Sequence, residues 1–241
     1  MIIIFFYYIR LFLMLSTLLI SLCVNHLSFN TKITSIIRNI NFKLFHLICN
    51  YKYNIYHENK KEIKDIQSTI IMCNHYNAND LLVLNKLNLD YYTIAKNDLF
   101  KENKSIPIIN YFNKSFFNYF KLISYKRNDK IDGDKVKNQM LSILNDRDNI
   151  LVFPEGTSTR NGKPKEFKKG IFYLCSQYQI PILPVTIKYN KDIGLNKEDK
   201  FNPFILFDLE VDIYIHPIIK GNDMETLKTK VYDKIISKLE Y

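Results

Sequence analysis

The chain begins with a long apolar run. Residues Ile2 to Val24 are almost continuously hydrophobic, and Arg10 is the only charged residue among them. A helix of about 20 apolar residues can cross a bilayer, although a charge at mid-membrane is costly unless it is paired or reaches the interface. A cleaved signal peptide is the alternative, but the basic start and the small-residue cleavage site are missing. The run therefore predicts a retained membrane anchor, either spanning or re-entrant.

A second apolar pattern follows with helical spacing. Isoleucine and leucine recur from Ile33 to Ile48, and Lys32, Arg38 and Lys43 stand between them. This spacing fits an amphipathic helix that lies on a membrane surface, and it equally fits a helix packed on a protein core. We therefore expect residues 1–50 to form a membrane anchor and an interfacial helix, arranged as a single helix or a helical hairpin before residues 51–241.

After residue 51, short β-branched or aromatic runs alternate with helical patterns. Such alternation predicts an α/β fold, a layered αβα domain with a central, mostly parallel or mixed sheet. The predicted strands are Tyr53–Tyr56, Thr69–Cys73, Tyr91–Ala95, Lys121–Tyr125, Ile150–Phe153, Ile182–Lys188 and Val211–Ile215. The predicted helices are Asp80–Leu87, Ile108–Phe120, Asp134–Leu144, Lys168–Gln177 and Met224–Leu239. The polar segment Tyr189–Asn202 predicts a surface loop.

Composition and charge narrow the class of protein. Hydrophobic residues make up 47% of the 241-residue chain, which argues against disorder. The net charge of +10 suits anionic partners, namely phosphate esters, anionic lipid surfaces or nucleic acid. Part of that charge reflects a Lys-, Asn- and Ile-rich composition of the kind that an A+T-rich genome encodes. The four cysteines have no C-x-x-C spacing, so neither a zinc site nor a disulfide framework is indicated. A reducing compartment is the simpler interpretation.

The first motif whose side chains could take part in catalysis is the segment from Asn74 to Asp80. It follows a predicted strand, where α/β folds place their sites. His75 and Asp80 stand five residues apart across a turn, so the carboxylate can meet one ring nitrogen and raise the basicity of the other. The alternative is a loop histidine beside a helix-starting aspartate. Cys73, two residues before His75, is a further candidate as a covalent nucleophile, disfavoured because it ends an apolar strand.

The second motif runs from Phe153 to Pro164 and also follows a predicted strand. Gly156 permits backbone conformations that direct N–H groups at an anion, and Arg160 and four lysines after it add positive charge suited to phosphate. The segment is not a P-loop, because five residues separate its glycines and Pro164 stands where Ser or Thr binds magnesium. The alternative is a basic, solvated loop before the next helix.

Together with the proline-bounded segment after Ile180, these motifs resemble the lysophosphatidic acid acyltransferase family of glycerolipid acyltransferases. His75 and Asp80 match the family's H-x-x-x-x-D block. The further matches are Phe153-Pro154-Glu155-Gly156-Thr157 to F-P-E-G-T, Phe167-Lys168-Lys169-Gly170 to F-K-x-G, and Pro181–Val185 to P-[IV]-x-P-V. The resemblance covers residues 50–190 of the chain.

One block of the family pattern is altered. The family has G-x-x-F-[IV]-x-R, and the corresponding segment here is Lys121–Arg127. Arg127 matches the arginine, but Lys121 and Ser124 replace the glycine and the aromatic residue. The pattern therefore does not decide whether Arg127 or Lys126 contacts the acceptor phosphate. It also does not decide which lysophospholipid is preferred.

The resemblance implies direct acyl transfer from acyl-CoA, or from an acyl-carrier thioester, to lysophosphatidic acid or another lysophospholipid. His75 is then the general base and Asp80 orients its ring. The implied acceptor-phosphate site consists of Arg127, Glu155, Gly156, Thr157 and Arg160, in which Glu155 orients a basic residue or the loop backbone. The resemblance implies no metal and no cofactor beyond the co-substrate. It also implies a membrane location, with the catalytic domain of residues 51–241 facing the cytosol.

Three other functions are alternatives to acyl transfer. A membrane-tethered nucleic-acid-binding protein would use the positive charge, but no RNA-binding, helix-turn-helix or zinc-finger pattern is present, so no nucleic-acid partner is expected. A non-catalytic lipid-binding homologue is compatible with the altered block, but the intact His75 and Asp80 argue against it. A hydrolase that releases the fatty acid would differ in its product.

Overall fold

The computed structural model describes residues 2–27, 31–58, 63–77, 79–96, 120–126, 129–159, 164–190 and 207–239. The helices of the described residues are α1 (Ile2–Leu27), α2 (Thr31–Cys49), α3 (Asp80–Leu84), α4 (Lys130–Asn145), α5 (Lys169–Tyr178) and α6 (Met224–Ile236). The strands are β1 (Lys52–His57), β2 (Ile70–Cys73), β3 (Tyr91–Lys96), β4 (Leu122–Tyr125), β5 (Asn149–Val152), β6 (Ile182–Tyr189) and β7 (Glu210–Ile215). Short 3-10 turns occupy Ile63–Asp65 and Asn85–Leu87.

The strands form a seven-stranded sheet in the order β1-β7-β6-β2-β5-β3-β4. Strand β2 runs parallel to β5 and β6, β1 runs parallel to β7, and β6 and β7 are antiparallel. All four residues of both β2 and β5 are buried, which explains why these strands read as unbroken apolar runs instead of alternating patterns. The predicted α/β class and mixed sheet are confirmed.

The residues group into two units by their contacts, and the larger comprises Lys52–Tyr91, Lys137–Asn202 and Leu209–Tyr241. In this unit α6 packs against β6 and α5. The buried residues of α6 recur every four positions, at Leu227, Val231 and Ile235, so they form one apolar face of the helix. The side chain of Asp223 accepts a hydrogen bond from the Thr226 amide at 2.7 Å and caps the start of that helix.

The smaller unit comprises Met1–Tyr51, Tyr92–Val136 and Pro203–Asp208, and α1 and α2 pack together within it. Arg10, the charge that interrupts the apolar run, forms a salt bridge with Asp208 at 3.1 Å. Tyr7 and Asn50 also donate hydrogen bonds to that carboxylate, at 2.9 and 2.7 Å. Burial opposes these contacts, yet together they hold the pKa of Asp208 below its usual value.

The two predicted N-terminal helices form as α1 and α2. In the part of the chain that the structure describes, no helix is long and apolar enough to cross a membrane, so the predicted membrane-spanning helix is not confirmed. Helix α2 has a buried face and an exposed apolar face. Phe42, Phe45 and Cys49 are buried, whereas isoleucine and leucine side chains are exposed at positions 33, 36, 40, 44 and 47.

Most predicted elements form within a few residues of the predicted ends. Helix α4 begins at Lys130 and not at Asp134, because the side chain of Asp129 accepts a hydrogen bond from the Asp132 amide and the helix continues through Gly133. The predicted helix Asp80–Leu87 ends earlier, as α3 followed by a 3-10 turn. The predicted helix Ile108–Phe120 falls almost entirely outside the described residues, as does the predicted loop beyond Asn190.

Candidate active site

Both motif loops leave the sheet at the same edge. Strands β2 and β5 are parallel neighbours, with Ile70 beside Ile150 and Met72 beside Val152, so their carboxyl ends coincide. His75 follows the end of β2 by two residues, and Phe153 follows β5 directly. Ligand sites of α/β sheets form beyond the carboxyl ends of their strands. The fold therefore brings the two motifs together.

The His75 ring is hydrogen-bonded to the carboxylate of Asp80, with 2.8 Å between Nδ1 and Oδ2. Asp80 is fully buried, while 19% of the His75 side chain is accessible to solvent. The same Oδ2 atom accepts hydrogen bonds from the amides of Tyr76 and Asn77, at 2.7 and 3.0 Å. Oδ1 accepts a hydrogen bond from the Tyr189 hydroxyl at 2.7 Å.

The partners of Asp80 determine which nitrogen of His75 can act as a base. Backbone amides can only donate, and an ionised carboxylate can only accept, so Nδ1 of the neutral ring must carry the hydrogen that faces Asp80. Nε2 is then the unprotonated nitrogen. No group in the described ranges of the chain is hydrogen-bonded to it, and 19% of the side chain that carries it is accessible. The pair is arranged for proton abstraction by Nε2.

Glu155 ties the two loops together through their backbones. This carboxylate is 1% exposed and accepts hydrogen bonds from the amides of His75 and Lys165, at 2.9 and 3.0 Å. Burial raises the pKa of Glu155 to about 7, although the two amide hydrogen bonds act in the opposite direction. Glu155 therefore contacts loop backbone in this structure, one of the two arrangements expected for it.

Two further residues of the second loop hold His75. The backbone amide and the hydroxyl of Thr159 both donate to the His75 carbonyl oxygen, at 2.8 and 3.0 Å. The rings of His75 and Phe153 stack, with 4.0 Å between their centroids and 18° between their planes. The amide, the carbonyl and the ring of His75 are thus all fixed by the loop that follows β5.

Asn74 fixes the other side of the first loop. Its side-chain amide donates to the Ile187 carbonyl oxygen at 2.8 Å, and its side-chain oxygen accepts from the Ile187 amide at 2.9 Å. Asn74 is buried, so this pair of bonds substitutes for the strand pairing that ends at Cys73. Cys73 is buried as well, and burial raises the pKa of its thiol well above the usual value. That environment argues against Cys73 as a nucleophile.

The predicted acceptor-phosphate residues are placed only in part. Arg127 and Arg160 lie outside the described residues. Gly156 has a φ of 68°, a left-handed conformation that favours glycine, and its amide donates to the Phe153 carbonyl oxygen at 3.0 Å. That N–H therefore closes a turn at the loop entry. Thr157 follows this turn directly.

Lys126, the alternative phosphate contact, has an acidic partner. Its Nζ lies 3.0 Å from a carboxylate oxygen of Asp129, and its backbone amide donates to Asp132.

Among the residues that the structure describes, no group of three or more His, Cys, Asp and Glu side chains is placed to hold a metal ion.

The sequence did not identify the roles of Phe153, Thr159 and Tyr189. Each contacts a residue of the His75–Asp80 pair that lies at least 78 positions away in the sequence, the separation between His75 and Phe153. Phe153 and Thr159 belong to the second motif, so a search for partners of His75 within that motif could have found them. Tyr189 carries no comparable signal, because it stands at the end of an ordinary apolar strand.

Comparison with known proteins agrees with this geometry. A family model described as Acyltransferase matches residues 54–188, more than half of the chain. The chain belongs to this acyltransferase family. A 1-acyl-sn-glycerol-3-phosphate acyltransferase of Borreliella burgdorferi is 28% identical over 179 residues, which cover 72% of this chain and 66% of that protein. The human 1-acyl-sn-glycerol-3-phosphate acyltransferase alpha is 42% identical over 52 residues, 22% of this chain and 18% of that protein. The chain thus spans less than two thirds of either relative.

The fold also has a counterpart among solved structures. The crystal structure of the 1-acyl-sn-glycerophosphate (LPA) acyltransferase PlsC from Thermotoga maritima matches with a TM-score of 0.66 and 19% sequence identity. The match covers 99% of this chain and 95% of that one. At this identity the likeness shows a shared fold.

Proposed function

We propose that this protein transfers a fatty acyl group from acyl-CoA to the free hydroxyl of lysophosphatidic acid, which gives phosphatidic acid. The observation that carries the proposal is the 2.8 Å contact between His75 Nδ1 and Asp80 Oδ2, which leaves Nε2 as the ring nitrogen that Asp80 does not bind, on a side chain that is 19% accessible. The family membership and the names of the relatives support the same reaction class.

The proposed reaction is a direct transfer, without an acyl-enzyme intermediate. His75 Nε2 takes the proton of the acceptor hydroxyl while that oxygen attacks the thioester carbonyl carbon. The new ester C–O bond forms, the C–S bond breaks, and the proton passes from His75 to the departing thiolate. Asp80 holds the ring in the required tautomer and stabilises the imidazolium that forms between these events.

The proposed acceptor site recognises a phosphate monoester. We assign Arg127 and Arg160 to charge-assisted hydrogen bonds with that phosphate, and Thr157 to the same site after the turn at Gly156. A monoester carries more negative charge than a phosphodiester, which suits this basic segment. Other lysophospholipids are the second candidates for the acceptor, because Lys121 and Ser124 replace the glycine and the aromatic residue that precede the arginine matched by Arg127 in the family pattern.

We also propose that the enzyme works at a membrane, with its catalytic domain facing the cytosol. The exposed apolar positions of α2, such as Ile36 and Leu47, and the net charge of +10 suit an anionic lipid surface. The cysteines among the described residues are free thiols, in keeping with a reducing compartment.

The experiment is product analysis with the purified protein, one acyl-CoA and a panel of lysolipids. Wild type should form phosphatidic acid fastest, and His75→Ala should lower the rate by about 10²–10⁴-fold. His57→Ala is the matched control, because His57 is an exposed histidine at the end of β1. Faster use of lysophosphatidylcholine would contradict the acceptor assignment. Fatty acid release without an acceptor would indicate a hydrolase, and near-normal activity of His75→Ala would refute the general base.

A further inference from the structure

Strand β6 ends in a tyrosine that reaches the candidate catalytic pair. Tyr189 is the last residue of β6 and is 8% exposed. Its hydroxyl donates to Asp80 Oδ1 at 2.7 Å. Strand β6 continues past the end of its parallel neighbour β2. The two hydrogen bonds between Asn74 and Ile187, one donated by each residue, fix the register there. The position of the Tyr189 hydroxyl is therefore set by the sheet.

The two oxygens of Asp80 have different partners. Oδ2 accepts all three bonds from the first loop, namely from the His75 ring and from the amides of Tyr76 and Asn77. Within the described ranges, Tyr189 is the donor to Oδ1. Asp80 is fully buried, so bulk water has no access to replace this hydroxyl.

We propose that Tyr189 is a positioning residue for acyl transfer, which acts by holding the Asp80 carboxylate in the orientation that His75 requires. This inference rests on the proposed function of the His75–Asp80 pair. With Oδ1 fixed by Tyr189, the carboxylate cannot rotate about its Cβ–Cγ bond without breaking a short, charge-assisted hydrogen bond. Because Tyr189 acts through Asp80, its loss should lower kcat and leave KM unchanged.

The first test is Tyr189→Phe, which removes one hydroxyl and keeps the ring. The ring packs edge-on against Tyr76 with 5.4 Å between centroids, so the variant retains that contact. Tyr232→Phe is the matched control, since the Tyr232 ring packs edge-on against Phe167 at 5.0 Å in the same unit. We expect Tyr189→Phe to lower kcat about 10-fold, the effect of one hydrogen bond to a charged group, with KM within about twofold of wild type. Equal kcat in wild type and Tyr189→Phe would overturn the inference, as would a loss confined to KM.

A double-mutant cycle separates action through Asp80 from a general structural role. If Tyr189 acts through the carboxylate, Tyr189→Phe should change kcat less than about twofold in an Asp80→Asn background. Independent effects, in which the two losses multiply, would overturn the inference.

A spectroscopic measurement tests the same inference without any substrate. In histidine-labelled protein, the downfield proton signal of His75 Nδ1–H reports the hydrogen bond to Asp80, and His75→Ala assigns it. We expect this signal to shift or broaden in Tyr189→Phe and to stay unchanged in Tyr232→Phe. An unchanged signal in both variants would overturn the inference. If wild type transfers no acyl group, the proposed function fails, and this signal still decides whether Tyr189 positions the pair.

Discussion

The buried carboxylate of Glu155 makes the stability of the protein depend on pH. Its pKa is raised from an ordinary value of 4.5 to about 7 by burial, against the hydrogen bonds that it accepts from the Lys165 and His75 amides. The unfolded chain therefore loses this proton near pH 4.5, whereas the folded protein keeps it until about pH 7. The stability that this group contributes is fully present below pH 4.5 and is lost as the pH rises through the folded-state pKa of about 7. The shift of 7 − 4.5 = 2.5 pH units corresponds to about 3 kcal/mol at 1.36 kcal/mol per unit.

Glu155→Gln removes this ionisation and nearly preserves the shape of the side chain. Its amide oxygen can still accept one backbone hydrogen bond, but its NH₂ group faces the second amide as another donor. That mismatch costs about 1–3 kcal/mol at every pH. We therefore expect Glu155→Gln to be less stable than wild type near pH 4.5 and to gain about 3 kcal/mol relative to it by about pH 8.

The measurement is the free energy of unfolding in urea, followed by circular dichroism, for both proteins in one detergent from about pH 4.5 to about pH 8. Taking the difference between the two proteins cancels groups that titrate alike in both. Glu225→Gln provides the comparison for removing an exposed carboxylate, since 57% of the Glu225 side chain is accessible. A difference that stays constant or falls with rising pH would refute the reasoning. It would show that the amides of His75 and Lys165 outweigh burial in setting the protonation of Glu155.

Three further substitutions test other contacts. Asp80→Asn should lower kcat by about 10²–10⁴-fold in steady-state assays while the circular dichroism spectrum is retained, because the ring loses the partner that fixes its tautomer. Asn74→Asp should destabilise the fold by about 3 kcal/mol in urea unfolding, because it sets a buried carboxylate oxygen against the Ile187 carbonyl; equal stability would contradict that contact. Hydrogen bonding to Lys238 helps to lower the pKa of Glu58 from 4.5 to about 2, so Glu58 stabilises the fold above pH 4.5 and this contribution is lost between pH 4.5 and about 2. Glu58→Gln should flatten the acid-unfolding curve in that window, and an unchanged curve would show that this carboxylate makes no such contribution.

Local patterns were sufficient to predict most of the sheet and the contact between His75 and Asp80. The strands β2 and β5 could be recognised because buried parallel strands are short, apolar and bounded by polar loops. His75 and Asp80 stand five residues apart and follow one of these strands, so their contact depends on a single turn. Information of this kind lies within a window of a few residues, where sequence reasoning is strong.

Contacts between distant parts of the chain could not be predicted in the same way. The salt bridge between Arg10 and Asp208 joins residues 198 positions apart, and the bond from Tyr189 to Asp80 spans 109 positions. Both depend on how the elements that carry them pack, which periodicity does not determine. The length of the first helix was predicted well, but the acidic partner of its only charge was not.

These distant contacts explain how a short loop can hold the proposed catalytic pair in place. Helix α3 has five residues, and an isolated helix of that length does not form in water, because nucleation costs more than a few hydrogen bonds return. Asp80 stands at its first position and thus depends on outside contacts for its placement. The structure supplies them from the neighbouring strands, through Tyr189 on one side and through Glu155 and Thr159 on the backbone of His75. The order of the site therefore comes from the ends of β5 and β6. The proposed acid–base catalysis would benefit, because the pair would need little reorganisation when an acceptor hydroxyl arrives.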